Sequence, residues 1–169
     1  MRRKDREITE IKELLQIIDQ CKVIRIAMED HAGLYIVPMN FGYTYENDQL
    51  VLYFHSAKEG RKITVLKEKS AICFEMDSEH GLITADVACE YSYSFKSIIG
   101  NGRAIFIDDI EEKKSALSVL MKHQTGRDFL IDDSMVGGVC VFKVIVEEFT
   151  GKYHPWFKNI RFFLIPYTN

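Results

Sequence analysis

The stretch densest in chemistry is Phe54-His-Ser-Ala-Lys-Glu-Gly-Arg-Lys62. An apolar strand ends here and a helix starts, so unpaired backbone amides and the positive end of a helix dipole gather at one point, a setting that holds a phosphate. Ser56 could donate a hydroxyl to such an anion. Arg61 and Lys62 add cations, and helical side chains lean back toward the helix start. Gly60 inside the first or second turn costs up to about 1 kcal/mol against alanine, which a closely approaching ligand or backbone would explain. Ser56 with Glu59 three residues on has the form of a capping box, and Glu59 opposes an anion. The same residues therefore also read as an ordinary capped helix with a solvated basic turn. His55 is either a polar strand end or, since imidazoles as a class titrate near neutrality, a source of protons.

Two other constellations carry less. Gly100-Asn-Gly102 invites a dinucleotide reading, but the third glycine of a GxGxxG is missing. The following Arg103-Ala-Ile-Phe-Ile107 continues as strand rather than helix, so a bulge or bend is expected. Cys73, His80 and Cys89 match no zinc-ligand spacing, and no metal is expected.

The elements that must position these residues follow from periodicity. Ile8, Ile11, Leu14, Leu15 and Ile18 recur at helical spacing, predicting a helix over roughly residues 7 to 20. Apolar runs then predict strands over Lys22–Met28, Leu34–Tyr43, Gln49–Phe54 and Ser70–Met76. A helix is expected from about residue 56 to 68. Tyr91, Tyr93 and Phe95 alternate with polar residues in a further strand that runs on to Ile107, and Val139–Val146 is a last apolar one. Asp109 and Glu112 form a second capping box, opening a helix that stops near Gly126. Roughly six strands with hairpin-like connections and short helices predict a mainly β (α+β) fold, an antiparallel barrel with peripheral helices, because closure disposes of open edges. No repeat or linker divides the chain, so residues 1–169 are expected to form a single domain, with a helical segment within 1–20 and an aromatic tail at 153–169.

Composition narrows the function classes. The chain has 169 residues, 47% hydrophobic and 28% charged, with a net charge of -3. That suits one globular domain and gives no basic excess for nucleic acid or an anionic membrane. Neither a signal-peptide pattern nor a bilayer-spanning apolar run is present, and the four cysteines are scattered singly. Reduced thiols in a cytoplasm are the expectation, with those beside apolar residues behaving as small buried hydrophobes.

The strings Tyr35-Ile-Val-Pro-Met-Asn-Phe-Gly-Tyr43, Phe54-His-Ser-Ala-Lys-Glu-Gly-Arg-Lys62, Ser97-Ile-Ile-Gly-Asn-Gly-Arg103 and Thr150-Gly-Lys152 stand in one order along residues 20 to 152. In that order and at similar intervals they resemble the nitroimidazole-resistance branch of the pyridoxamine phosphate oxidase-like flavoproteins. The resemblance implies a split barrel that forms a homodimer, with FMN in a groove between subunits. It assigns the phosphate to Ser56, Arg61 and Lys62, with His55 and Ala57 lining the same corner. It sets backbone and amide groups of Val37, Pro38, Met39 and Asn40 against the uracil-like edge of the flavin, which offers both acceptors and an N–H and so needs exposed main chain. Pro38, lacking an amide hydrogen, interrupts strand pairing where those groups are wanted. Tyr93 and Ser97 would reach the partner's flavin.

The arginine-rich substrate signatures of pyridoxamine phosphate oxidase itself are absent, so vitamin metabolism is not the expected role. The tail either packs on the barrel or folds over the flavin or the partner chain, with His154 and Trp156 as the pocket candidates. The implied activity is electron transfer from NADH or NADPH to a small acceptor such as a nitroaromatic, with His55 supplying a proton. The alternative is a flavin- or haem-binding carrier, sensor or storage module without turnover. A general partner-binding domain, resting only on the aromatic tail, is the third reading.

Overall fold

Alternation at period two shapes most of this chain. In β2 (Ile24–Asp30), Ile24, Ile26 and Met28 turn inward while Arg25 and Glu29 face out. The same logic builds β3 (Gly33–Met39), β4 (Gly42–Glu46), β5 (Gln49–Ser56), β6 (Ala71–Ile83), β7 (Ser92–Ile107) and β8 (Cys140–His154). The computed structural model describes residues 3–155. These strands form one antiparallel sheet in the order β3-β2-β6-β7-β8-β5-β4, and a short β1 (Glu7–Ile8) pairs with β8. The sheet does not close: β3 and β4 each keep one unpaired backbone edge, and the gap between them is the split of a split barrel.

Phe41, Phe54, Phe74 and Phe142 are fully buried inside the sheet with Ile24, Ile26, Leu52 and Ile98. Each such side chain contributes about 1.5–3 kcal/mol relative to exposure. Three helices cover the rest. Helix α1 (Ile11–Gln20) buries Leu14, Ile17 and Ile18. Helix α2 (Arg61–Glu68) buries Ile63, Val65 and Leu66 and packs on β2. Helix α3 (Ile110–Thr125) begins where the Asp109 carboxylate accepts from the Glu112 amide and ends at Gly126 in the left-handed region, as expected. A short helix α4 (Asp133–Val136) leads into β8.

Several expectations need correction. The sheet has eight strands rather than six, because Asn40 and Phe41 break the predicted Leu34–Tyr43 strand into β3 and β4, and residues 7 and 8 join β8 instead of starting α1. Tyr153 and His154, assigned to the tail, are the last residues of β8. Cys73 and Cys89 are exposed, and only Cys21 is a fully buried thiol. The expected bulge at Gly100-Asn-Gly102 exists, but the extra residue is Glu147 on the neighbouring strand. Gly100 itself is required by packing, since a Cβ there would lie 2.5 Å from the Phe74 ring and 2.7 Å from the Glu148 carbonyl.

Gly42 plays the equivalent role for α3, which crosses so close to β4 that a Cβ would collide with the backbone of Val119 and Leu120. Gly42→Ala is expected to destabilise the protein by about 2–3 kcal/mol, read as a lower urea midpoint at unchanged slope.

Candidate functional site

Ser56 ends β5 directly opposite Cys140, the first residue of β8. Leu52, Phe54 and Ser56 share the inner face, so the hydroxyl is carried into the end of the barrel, where the residue is 6% exposed. Its Oγ has no hydrogen-bond partner among the described residues. An orphaned buried hydroxyl costs about 1–3 kcal/mol. Native interiors keep few such groups, and each asks for a reason.

The chain then turns into α2 through Gly60, whose φ of 129° is closed to most L residues. A Cβ there would touch nothing within 4 Å, so conformation explains this glycine and close approach does not. Gly60 is the N-cap and offers no side chain. The first amide to bond back is that of Ile63, at 3.0 Å to the Gly60 carbonyl, so the helix opens with donors to spare. The predicted Ser56–Glu59 capping box does not form, because pairing with Cys140 holds Ser56 in the strand.

Arg61 and Lys62 diverge from this point. The Arg61 guanidinium donates to both oxygens of Asp30, at 2.8 and 3.0 Å, and lies 4.4 Å from the centre of the Tyr35 ring. The hydrogen bond from Arg61 holds the Asp30 carboxyl down at about 2. Lys62 is half-buried, makes no ion pair among the described residues, and its charge is felt at the Cys140 thiol. Burial pushes that thiol up, against the pull of the surrounding lysines. His55 and Ala57 are exposed on either side of Ser56, with His55 on the outer face opposite Val141.

Along β3, Val37 and Met39 face the core while Pro38 is exposed. The unpaired edge of this strand offers the main chain that the resemblance calls for. The Asn40 amide is already engaged, donating to the Lys22 carbonyl at 3.0 Å and to Gln124 Oε1 at 3.2 Å. Within one chain, Tyr93 and Ser97 are not brought to this corner. Ile107 pairs with Val141, which pairs with His55, and Ser97 stands about ten residues further back along β7, roughly 33 Å of strand. His154 stacks on Phe95 with ring centres 6.2 Å apart, far along the same strands. Trp156 lies outside the described residues.

Asp30 and Cys140 were missed by reading along the chain. Asp30 sits in a segment whose Asp-His-Ala-Gly text signals only a turn, and Cys140 is brought beside Ser56 by strand pairing alone. A cavity of about 640 Å³ between α1, β4 and α3 competes for attention. Its polar groups answer one another instead: Tyr43 donates to Asp19 at 2.7 Å, and His123 Nε2 meets the Cys21 carbonyl at 2.8 Å.

An open antiparallel split barrel with peripheral helices and a basic, donor-rich corner at the barrel end define a recognised class of fold. A family model for pyridoxamine 5'-phosphate oxidase matches residues 10–153, and the chain belongs to that family. It is similar to the solved structure of a candidate 5-nitroimidazole antibiotic resistance protein from Bacteroides thetaiotaomicron, with 38% identity and a TM-score of 0.74 over 87% of this chain and 86% of that one. Two more distant likenesses concern the fold alone. The flavocytochrome Anf3 from Azotobacter vinelandii has 20% identity and a TM-score of 0.75, covering 92% of this chain and 72% of that one. A FAD-binding protein from Mesorhizobium loti has 23% identity and a TM-score of 0.61, covering 89% and 98%. No curated protein matches.

If the Ser56 hydroxyl is kept for a ligand rather than for the fold, Ser56→Ala should leave the ligand-free protein as stable or about 1 kcal/mol more stable. A thermal melt of ligand-free protein measures this, and a clear loss of stability would contradict it.

Proposed function

We propose that this chain is an FMN-binding oxidoreductase that works as a homodimer and passes electrons from NADH or NADPH to a small acceptor such as a nitroaromatic. The observation that carries the reading is the corner itself: a buried, unpartnered Ser56 hydroxyl beside an uncapped helix start and an unpaired Lys62. These groups suit a phosphate monoester, with the Ser56 O–H and the first α2 amides donating and Lys62 supplying charge. Arg61 would join by exchanging Asp30 for the phosphate, or stay on Asp30 and fix α2 against β3. The open edge of β3 at Val37–Met39 would meet the ring edge. When bound, the flavin would supply the redox chemistry and the protein position and exclusion of water; His55 faces away from the Ser56 side of β5, so its proton would serve a ring lying along the outer face.

The 5-nitroimidazole connection of the Bacteroides protein supports the nitroaromatic acceptor, and the FAD-binding neighbour supports a flavin. The dimer is supported by the outer face of the sheet. Leu34 is 84% and Ile36 64% exposed on β3, and Ile99 and Ile105 stand out on β7. Monomers seldom leave such apolar surface uncovered. A second copy on this face could bring Tyr93 and Ser97 to the corner that one chain alone denies them. A cytoplasmic setting is in keeping with free cysteines, and no described helix is long and apolar enough to cross a membrane. The second reading, a flavin or haem carrier without turnover, draws on the flavocytochrome and FAD-binding neighbours, whose names state no reaction.

Purified protein should show a flavin absorption spectrum, and Lys62→Ala should weaken FMN retention by about tenfold or more in a fluorescence titration. A colourless parent, or a variant that keeps FMN as well as the parent does, counts against the corner. Acceleration of NADPH oxidation by a nitro compound beyond free flavin separates the enzyme from the carrier. Ile36→Glu is expected to shift the protein from dimer to monomer in sedimentation, with loss of bound flavin.

A further inference from the structure

Beside the start of β8 and the end of β7 lies a pocket of about 520 Å³. It is lined by Lys58, Lys67, Lys113, Phe106, Asp108 and Cys140 among others. Three ammonium groups thus face a single carboxylate in a protein whose net charge is -3. None of the three makes an ion pair among the described residues.

The charges immediately beside the pocket are engaged with one another. Lys114, next in sequence to Lys113, pairs with Glu111 at 2.8 Å and with Asp133. Lys143 pairs with Glu112 at 2.6 Å, and Asp109 is spent capping α3. Asp108 is the one carboxylate among the residues that line the pocket with Lys58, Lys67 and Lys113. Lys67 rests 5.9 Å from the centre of the Phe106 ring rather than on a carboxylate. Like charges held together without counter-charges repel, and a bound polyanion relieves that repulsion.

The pocket also has a defined relation to the corner. Cys140 lines it and pairs with Ser56, and neighbouring strands lie about 4.8 Å apart. Lys62 is close enough to both to act on the Cys140 thiol. An anion in this pocket would therefore be one strand away from the proposed flavin phosphate.

Resting on the flavin reading, we propose that the Lys58–Lys67–Lys113 pocket is a second phosphate site, taking the adenosine-side phosphates of a dinucleotide. Two molecules carry that chemistry: FAD in place of FMN, or the reduced nicotinamide that delivers electrons. ADP, which has the phosphates and adenosine but neither reactive ring, is the probe of the pocket by itself.

The test is calorimetric titration of the full chain with ADP, beside Lys67→Ala/Lys113→Ala and the charge-keeping Lys67→Arg/Lys113→Arg. The alanine pair should weaken ADP by about tenfold or more, with melting temperature and FMN affinity unchanged, and the arginine pair should restore binding. Failure of the parent to bind ADP, or equal binding by the alanine pair, overturns the proposal. A parallel fall in FMN affinity overturns it too, since the lysines would then belong to the corner. A parent that binds ADP through these lysines but takes no flavin sinks the flavin reading alone. With the site established, a lowered preference for FAD over FMN in the alanine pair identifies the cofactor as the source. A raised KM for NADPH with that preference unchanged identifies the electron donor.

Discussion

The crossing of α2 from the end of β5 to the β2–β3 hairpin holds this molecule together at its weakest place. A sheet that stops at β3 on one side and β4 on the other leaves two backbone edges open, and an open edge invites both fraying and unwanted pairing. Helix α2 pairs with neither edge and packs on β2 beside the β3 edge, while α3 packs on β4 and β5. Ile63, Val65 and Leu66 sink into the barrel end, and Arg61 reaches over to clasp Asp30 and Tyr35. The clasp matters because it fastens a helix start, with its spare amides, at a fixed height against β3. Everything assigned to the corner depends on that placement.

Features that work against stability collect at this same end of the barrel. Ser56 buries a hydroxyl with no partner among the described residues, Gly60 adopts a conformation closed to most residues, and Lys58, Lys67 and Lys113 line one pocket with a single carboxylate, Asp108. Elsewhere the molecule is economical: Arg25 is held by Glu75 and Asp77, Arg103 by Glu147, Lys96 by Glu79. Exposed pairs of that kind each contribute about 0–1 kcal/mol.

Much of the site was legible along the chain because its parts are local. A strand end, a glycine and two cations within nine residues define a helix start whatever surrounds it, and the segment Phe54–Lys62 contains all of them. Details that depend on a neighbour were misread or invisible. Ser56 has the spacing of a cap, yet it is the last residue of a strand, because Cys140 pairs with it from more than eighty residues away. Arg61 reads as a phosphate ligand, and nothing nearby in sequence announces that Asp30 holds it. Gly60 was read as lying inside the helix against a close neighbour and Gly100 as part of a bulge, and in both the cause differed. Gly60 serves its own torsion, whereas Gly100 makes room for the ring of Phe74.

The sequence by itself determined the strand alternation, the start of α3 at Asp109 and its stop at Gly126, and the presence of a basic helix start, since all of these follow from torsional preference and from the spacing of apolar residues over a few turns. The tertiary structure alone decided how many strands the sheet holds, which cation finds a carboxylate and which stays free, and which buried hydroxyl has no partner. Those outcomes turn on distances between segments far apart in the chain, and an electrostatic or hydrogen-bonding contact has no meaning until both of its ends are in place.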